Sequence, residues 1–517
     1  MILLTILTII VCHQVDSYKI LMYSPRMMQS HVGFMARIAN YLASQGHDMT
    51  VIDSTLRPDL STGLSKNITD VLYISQSPTV KGILEKMDIA PLLWKSKATP
   101  EDQREVMTGL GTVHKLQCIH MLTNDSRVIE VLKGRKFDFG IYETFDTCGL
   151  GIFEAIGLRK TIIVSSTILW DNVAAQIGLY GPFQFSSILA DTGSRLKYQQ
   201  YYRNAKYHSA FQFFFDLQAR EEEPLFRSKF GVKYPLESYI RKASLIWSNT
   251  HEAIDMKKPS SRRILDIGGI AIPKAGALPE KYEALFKKWN KVILITFGTA
   301  ASGFAMPQSH LFGLRNATQQ FRDVLFIWKY EKDDDFRKKD FSNILYDNFM
   351  PQNNLLHSGK VSGIITHGGR NSILESTKTA TPMIVVPLFG DQHNNAESLR
   401  ELGMVQVIAK ADLASGQVIA SAIGKTLQMP ESQRRLIRET GNRMKNCVED
   451  AEKTILTSIE EVFASETPLT FEDKAPYSHP DTVVFYLEIL YYTVYVAITA
   501  ILLVGFVYKS AFSKEDV

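Results

Sequence analysis

Two histidines stand where a β-type run gives way to a helix. His31 follows the run over residues 18–23 and the loop Ser24-Pro-Arg-Met-Met-Gln-Ser, and His367 closes Ile364-Ile-Thr just before Gly368-Gly369. An imidazole ordinarily titrates near ~6.5 and can take a proton at neutral pH. An acceptor hydroxyl needs such a base to become a nucleophile. A histidine at a helix start can equally cap backbone groups, and residue type alone leaves both readings open. Around His367 the polar residues are dense: Phe349-Met-Pro-Gln352 before it, then Gly369, Arg370, Asn371, Ser372, Glu375, a Pro382–Pro387 run and Asp391-Gln392. A β-branched run entering a Gly-Gly turn ahead of a helix is the junction where open α/β sheets bind ligands. The helix start offers free N–H groups to a phosphate. His367 at its lip adds a donor that can become cationic.

These positions need strands and helices to hold them. Residues 18–23 read as a strand, 32–44 as a helix, Gly46 as the glycine after its end, and 48–52 as the next strand. The pattern recurs at 292–297 and Gly298-Thr299, with a helix over 308–321 and a strand over 324–330. Strand, helix, strand at this spacing reads as a βαβ unit with a right-handed crossover. Two such openings about half a chain apart predict an α/β protein of two Rossmann-like domains facing each other, joined near 272–279, where Pro, Gly and Ala gather without periodicity. The stretch 183–240 is rich in aromatics, among them Phe183, Phe185, Tyr198, Phe211, Phe213, Phe214 and Phe215. Core packing is the first expectation for each.

The segment from Phe349 to Gln392 resembles the donor signature of the UDP-glycosyltransferases, most closely the membrane-bound UDP-glucuronosyltransferase type. Phe349, Gln352, His367, Gly368, Gly369, Asn371, Glu375, Pro382, Pro387, Asp391 and Gln392 fall in register with it. The resemblance implies a GT-B fold and a single inverting displacement in which His31 deprotonates the acceptor. It implies an acidic partner for His31. Counting from Phe137-Asp138, the family aspartate falls on Glu143, with Asp146 as runner-up. On the donor side, Phe349 would stack on uracil, where most members carry tryptophan, and Gln352 would bond base or ribose. Glu375 would accept the ribose hydroxyls. His367, Gly369, Asn371 and Ser372 would surround the diphosphate, with Gly298 and Thr299 across from them. Asp391 and Gln392 would hold the sugar. The co-substrate would be UDP-glucuronate or UDP-glucose and the acceptors small lipophilic molecules. Arg370 is a candidate for the carboxylate of a glucuronate donor but could face solvent. The resemblance implies no cofactor and no metal. A catalytically weak binding protein on the same fold is the alternative, and a UDP-sugar epimerase a third reading.

Length and composition agree with this. The chain has 517 residues, too many for one core. A net charge of +4 argues against nucleic acid as the main partner. The expected layout is a signal peptide over 1–17, an acceptor domain over 18–275, a UDP-sugar domain over 280–464 and a juxtamembrane linker over 465–488. A transmembrane helix over 489–508 and a cytosolic tail over 509–517 would follow. The apolar run 2–11 is too short to span a bilayer and fits a leader. The run 489–507 has no charged residue, tyrosines near both ends and lysines after it, which places the preceding domains in the lumen. Residence in the endoplasmic reticulum, a detoxifying role and contact with membrane lipid follow from the resemblance. Sequons at Asn67, Asn124 and Asn316 fit that side. Of the four cysteines, Cys12 lies in the expected leader. Cys118, Cys148 and Cys447 leave one disulfide possible, without saying which. Oligomeric state is open.

Overall fold

The computed structural model describes residues 17–512 apart from 88, 183, 195, 234, 339–340, 466–469 and 472–479. The expected leader except Ser17, Phe183, much of the linker and the end of the tail lie outside the described residues.

Two parallel sheets form. The first holds β1 (Lys19–Arg26), β2 (Asp48–Thr55), β3 (Asp70–Ile74), β4 (Phe139–Glu143), β5 (Thr161–Ser165), β6 (Leu245–Ser248) and β7 (Ile264–Asp266), in the order 3-2-1-4-5-6-7. The second holds β8 (Val292–Thr296), β9 (Leu325–Lys329), β10 (Ile344–Asp347), β11 (Gly363–Thr366), β12 (Met383–Val385) and β13 (Val405–Val407), in the order 10-9-8-11-12-13. Most strands are buried along nearly their whole length, so they read as apolar β-branched runs without alternation. The strand order reverses between β1 and β4 and again between β8 and β11. Ligands of such sheets bind at those switch points, outside the carboxyl ends of the strands.

The paired βαβ openings have the predicted order, with one shift that matters. The first helix spans Gln29–Ser44, starting three residues earlier than its apolar pattern suggests. Met28 precedes it in extended conformation without a side-chain cap. His31 therefore lies inside the first helical turn, held by a backbone bond of 3.1 Å from its N–H to the Met28 carbonyl. Gly46 takes φ +92° behind the helix, which only glycine adopts readily.

The chain crosses back at its end. Helix Cys447–Ala464 follows the second sheet, yet Ala451, Ile455, Ile459 and Val462 pack into the core of the first, with Tyr18, Phe139 and Trp247. Trp247 Nε1 donates to Ser458 Oγ at 3.1 Å, and Arg37 Nη2 to Glu452 Oε1 at 3.0 Å. The aromatic stretch forms helix Tyr201–Phe230, whose Phe211, Phe214 and Phe215 are buried. A disulfide joins Cys118, in helix Pro100–Asn124, to Cys148, at the start of helix Cys148–Ala155, and leaves Cys447 free and buried.

The expected transmembrane helix over 489–508 is not supported. Among the described residues no helix is long and apolar enough to cross a membrane. The stretch lies in helix Pro480–Phe512, which contacts helix Tyr201–Phe230. The three sequon asparagines are exposed; Asn316 lies within helix Gln308–Thr318, with Thr318 fully buried.

Candidate active site

One cleft of about 670 Å³ lies between the sheets and receives the ends of β1, β5, β8 and β11. His31, Gly298, Thr299, Phe349, Gln352, His367, Gly369, Asn371, Ser372, Glu375, Asp391 and Gln392 all line it. Its size suits a drug-sized ligand. Of the residues singled out in the sequence for chemistry, Glu143 and its runner-up Asp146 are buried behind the wall.

Glu143 ends β4 and is 1% exposed. His31 Nδ1 hydrogen-bonds its Oε1 directly. That fixes Nδ1–H toward the carboxylate and leaves Nε2 as the basic nitrogen. Ser166, just past β5, donates its hydroxyl to the same Oε1, and its Oγ lies 2.8 Å from His31 Nδ1. Phe145 sets its ring edge-on to the imidazole at 5.0 Å. Burial depresses the His31 pKa, but Glu143, by charge and hydrogen bond, and Asp391 from the second sheet raise it more, so it rests above its ordinary value. Asp146 is engaged elsewhere: it accepts from Tyr23 Oη at 2.8 Å and from the Cys148 N–H at 2.8 Å, and lies 3.2 Å from His114 Nδ1. Glu143, not Asp146, partners His31.

His367 differs from expectation. It lies between two glycines: a Cβ on Gly298 would stand 2.6 Å from its Cε1, and one on Gly369 2.4 Å from its Nε2. Burial, with Lys329 nearby, pushes its pKa down to about 4. It can donate one hydrogen bond as neutral imidazole but does not become cationic at neutral pH. Lys329, at the end of β9, supplies the positive charge instead; its Nζ donates to the Gly298 carbonyl at 2.7 Å and pairs with Glu331 at 3.3 Å. Helix Arg370–Lys378 starts at Gly369 without a side-chain cap, so its first N–H groups are free to meet an anion.

Farther along, Gln352 Nε2 donates to Glu375 Oε2 at 2.7 Å and to Ser372 Oγ at 3.2 Å. Burial raises the Glu375 pKa to about 7 despite that bond. Phe349 is 74% exposed, an open ring face at the rim. Asp391 accepts from Asn395 Nδ2 at 2.7 Å, and burial raises its pKa. Gln392 turns its carbonyl oxygen to the Leu388 and Phe389 N–H groups at 2.9 and 3.3 Å.

Arg370 neither faces solvent nor reaches for a ligand. Its Nη1 and Nη2 grip Asp255 at 2.7 and 2.5 Å, and its Nε donates to the Asn249 carbonyl. Asn249 Nδ2 in turn donates to the Ser166 carbonyl at 2.8 Å, so a chain of bonds runs from beside His31 to the helix start under the second sheet. Ser166, Asn249, Asp255 and Lys329 escaped the sequence reading. Ser166 and Asn249 follow β5 and β6 at their carboxyl ends, the only signal that could have found them. No cluster of His, Cys, Asp and Glu suited to a metal occurs among the described residues.

A family model described as UDP-glucoronosyl and UDP-glucosyl transferase matches residues 19–436. The chain is 39% identical over 513 residues to a putative UDP-glucuronosyltransferase, ugt-56, of Caenorhabditis elegans, covering 98% of each. It is also 39% identical to ugt-55 of that species, a putative UDP-glucuronosyltransferase, over 91% of this chain and 92% of the other. Among solved structures, the calicheamicin glycosyltransferase CalG4 superposes with TM-score 0.60 at 17% identity, covering 88% of this chain and all of that one. Phytolacca americana UGT2, complexed with UDP-2-fluoro-glucose and pterostilbene, gives 0.59 at 14% identity over 86% of this chain. These likenesses establish the GT-B fold.

Proposed function

The chain belongs to the UDP-glucuronosyl and UDP-glucosyl transferase family and is a UDP-glycosyltransferase, and from that premise we propose that it transfers a hexosyl unit, with inversion, to the hydroxyl of lipophilic acceptors, using His31 as base. The observation that carries this reading is the His31–Glu143 pair opening on the cleft that holds the donor motif. The acceptor oxygen attacks the anomeric carbon as the carbon–oxygen bond to UDP breaks. Its proton passes to His31 Nε2, and Glu143 stabilises the imidazolium. UDP departs as an anion toward the free N–H groups at Arg370, neutral His367 and Lys329, which are in place before charge develops. Glu375 and Gln352 receive the ribose, Phe349 the uracil, and Asp391 and Gln392 the sugar hydroxyls.

The donor in this proposal is UDP-glucose ahead of UDP-glucuronate. A glucuronate carboxylate wants a free cation. Among the described residues lining the cleft, Arg370 is held by Asp255, and Lys329, paired with Glu331 and the Gly298 carbonyl, is the cation this proposal assigns to the diphosphate. The disulfide supports placing the protein in an oxidising compartment. The exposed apolar side chains of helix Pro480–Phe512 support attachment to a membrane surface. The test is turnover of a simple phenol with the two donors side by side. A higher kcat/KM with UDP-glucose fits the proposal; a clear preference for UDP-glucuronate reverses the donor assignment; UDP binding without transfer from either favours a binding protein.

A further inference from the structure

A second cavity of about 680 Å³ adjoins the catalytic cleft. The two share Met28, Leu110, Thr299 and Phe389 as walls, along with Gln29 and Ser30 beside His31. On the cleft side, Phe145, Trp170 and Phe211 form an aromatic pocket next to the base. Beyond Met28 and Leu110, the second chamber is bounded by Leu84, Met87, Leu93, Val106 and, from the other lobe, Phe304, which is 44% exposed. Its walls are fixed across the lobes. Trp94 Nε1 donates to the Ser302 carbonyl at 3.1 Å, and Lys410 Nζ to the Leu93 carbonyl at 2.8 Å. A compact phenol fills only the first pocket and leaves this chamber empty.

We propose that the second chamber holds the tail of the acceptor, so that the substrates are elongated amphiphiles: a hydroxyl on a compact head set against His31, and an extended hydrocarbon chain running past Met28 and Leu110. This rests on the reading of the cleft as a glycosyl-transfer site with His31 as base. The occupant follows from continuity: a molecule held at His31 by its hydroxyl reaches this chamber directly, and aliphatic, thioether and aromatic side chains make up most of the wall it meets, with Arg57, Asp59, Lys81, Glu85 and Lys86 among the remaining lining. Thr299 borders both the donor side and the chamber, so acceptor tail and donor share one loop.

The experiment compares 4-methylphenol, 4-butylphenol and 4-octylphenol on the full chain, in transfer with each donor and in direct binding by calorimetry. The variant is Gly109→Leu. Gly109 lies inside helix Pro100–Asn124 and borders the second chamber, and a Cβ there meets only Met87 Sδ, at 3.6 Å. Leucine is favoured over glycine in a helix, so the variant keeps its fold. Wild type is expected to gain about fourfold in affinity and in kcat/KM per added methylene until the chamber fills. Gly109→Leu is expected to return 4-octylphenol to the level of 4-methylphenol while leaving 4-methylphenol unchanged. Affinity that ignores chain length, or a long-chain gain that survives Gly109→Leu, overturns the proposal. Absence of transfer with every acceptor and both donors would count against the glycosyl-transfer reading, while the binding arm still decides the chamber.

Discussion

Glu143 governs how His31 responds to pH. The imidazole must be neutral to take the acceptor's proton, so kcat/KM falls as pH drops through its pKa, which stands above the ordinary value because of Glu143. Glu143→Gln is expected to cost roughly 10²–10⁴ in kcat, as loss of the orienting carboxylate does in a related arrangement. It should also move the acidic limb of the pH–rate profile to lower pH, since the charge that raises His31 is gone. A pH–rate series on both forms checks the two effects together. Unchanged limb position with a lowered plateau would mean that Glu143 is not what sets His31. Glu375 gives a second prediction with opposite signs for stability and binding. Its pKa in the fold, about 7, lies above the ordinary 4.5, so its burial favours folding at low pH and opposes it progressively as pH rises from 4.5 through 7. Glu375→Gln is expected to raise Tm at pH 8 and to weaken UDP binding about tenfold, by losing a charged acceptor for the ribose. A thermal melt and a UDP titration at that pH measure both.

At the scale of elements, the strand–turn–helix around His367 is set by what its glycines leave out. Gly369→Ala puts a methyl 2.4 Å from His367 Nε2, so the ring must move from its place beside the helix start. UDP affinity is expected to fall at least about tenfold with little change in Tm, one displaced donor being worth ~1–3 kcal/mol; a titration beside a melt separates the two. The same element shows what the sequence made legible. Two βαβ openings, the Gly-Gly turn, Glu375 and Asp391-Gln392 all follow from local patterns that a parallel sheet imposes, and the structure gathers them into one cleft. The pairing of His31 with Glu143 depends on β1 and β4 lying side by side although well over a hundred residues apart, and the sequence pointed there only through the family resemblance. Ser166, Asn249 and Lys329 carry no local motif. The depressed pKa of His367 was not legible either, because it comes from burial between two loops of the second sheet and from Lys329 on β9, two strands away from β11.

At the scale of the molecule, the two lobes are tied on both sides of the cleft. Helix Cys447–Ala464 returns to the first sheet and buries Ile455, Ile459 and Val462 there. Arg370 reaches from the donor helix to Asp255 and the Asn249 carbonyl. This pair is nearly buried, at 4% and 16% exposure, so removing one partner strands the other charge. Asp255→Asn is expected to destabilise the chain by roughly 3 kcal/mol and to raise KM for donor and acceptor together, because the start of the donor helix and Ser166 hang on one chain of bonds. Denaturant melts with two-substrate kinetics test it. A stability loss with both KM values unchanged would reduce the pair to a structural tie. The returning helix was not legible as such: its sequence lies beyond the second sheet, and only the matching of its apolar face to β1, β4 and β6 shows which lobe it completes.

The claim on which the rest depends is that His31 activates the acceptor for transfer from a UDP-sugar. The most direct measurement is the single-turnover rate of wild type and His31→Ala with saturating UDP-glucose and 4-octylphenol, with UDP affinity measured on both proteins and the anomeric configuration of the product read by NMR. The account predicts an inverted glycoside, a rate at least about 10³-fold lower in the variant, within reach of what a positioned base contributes, and unchanged UDP affinity. A retained configuration, or a variant that transfers at the wild-type rate, would contradict it.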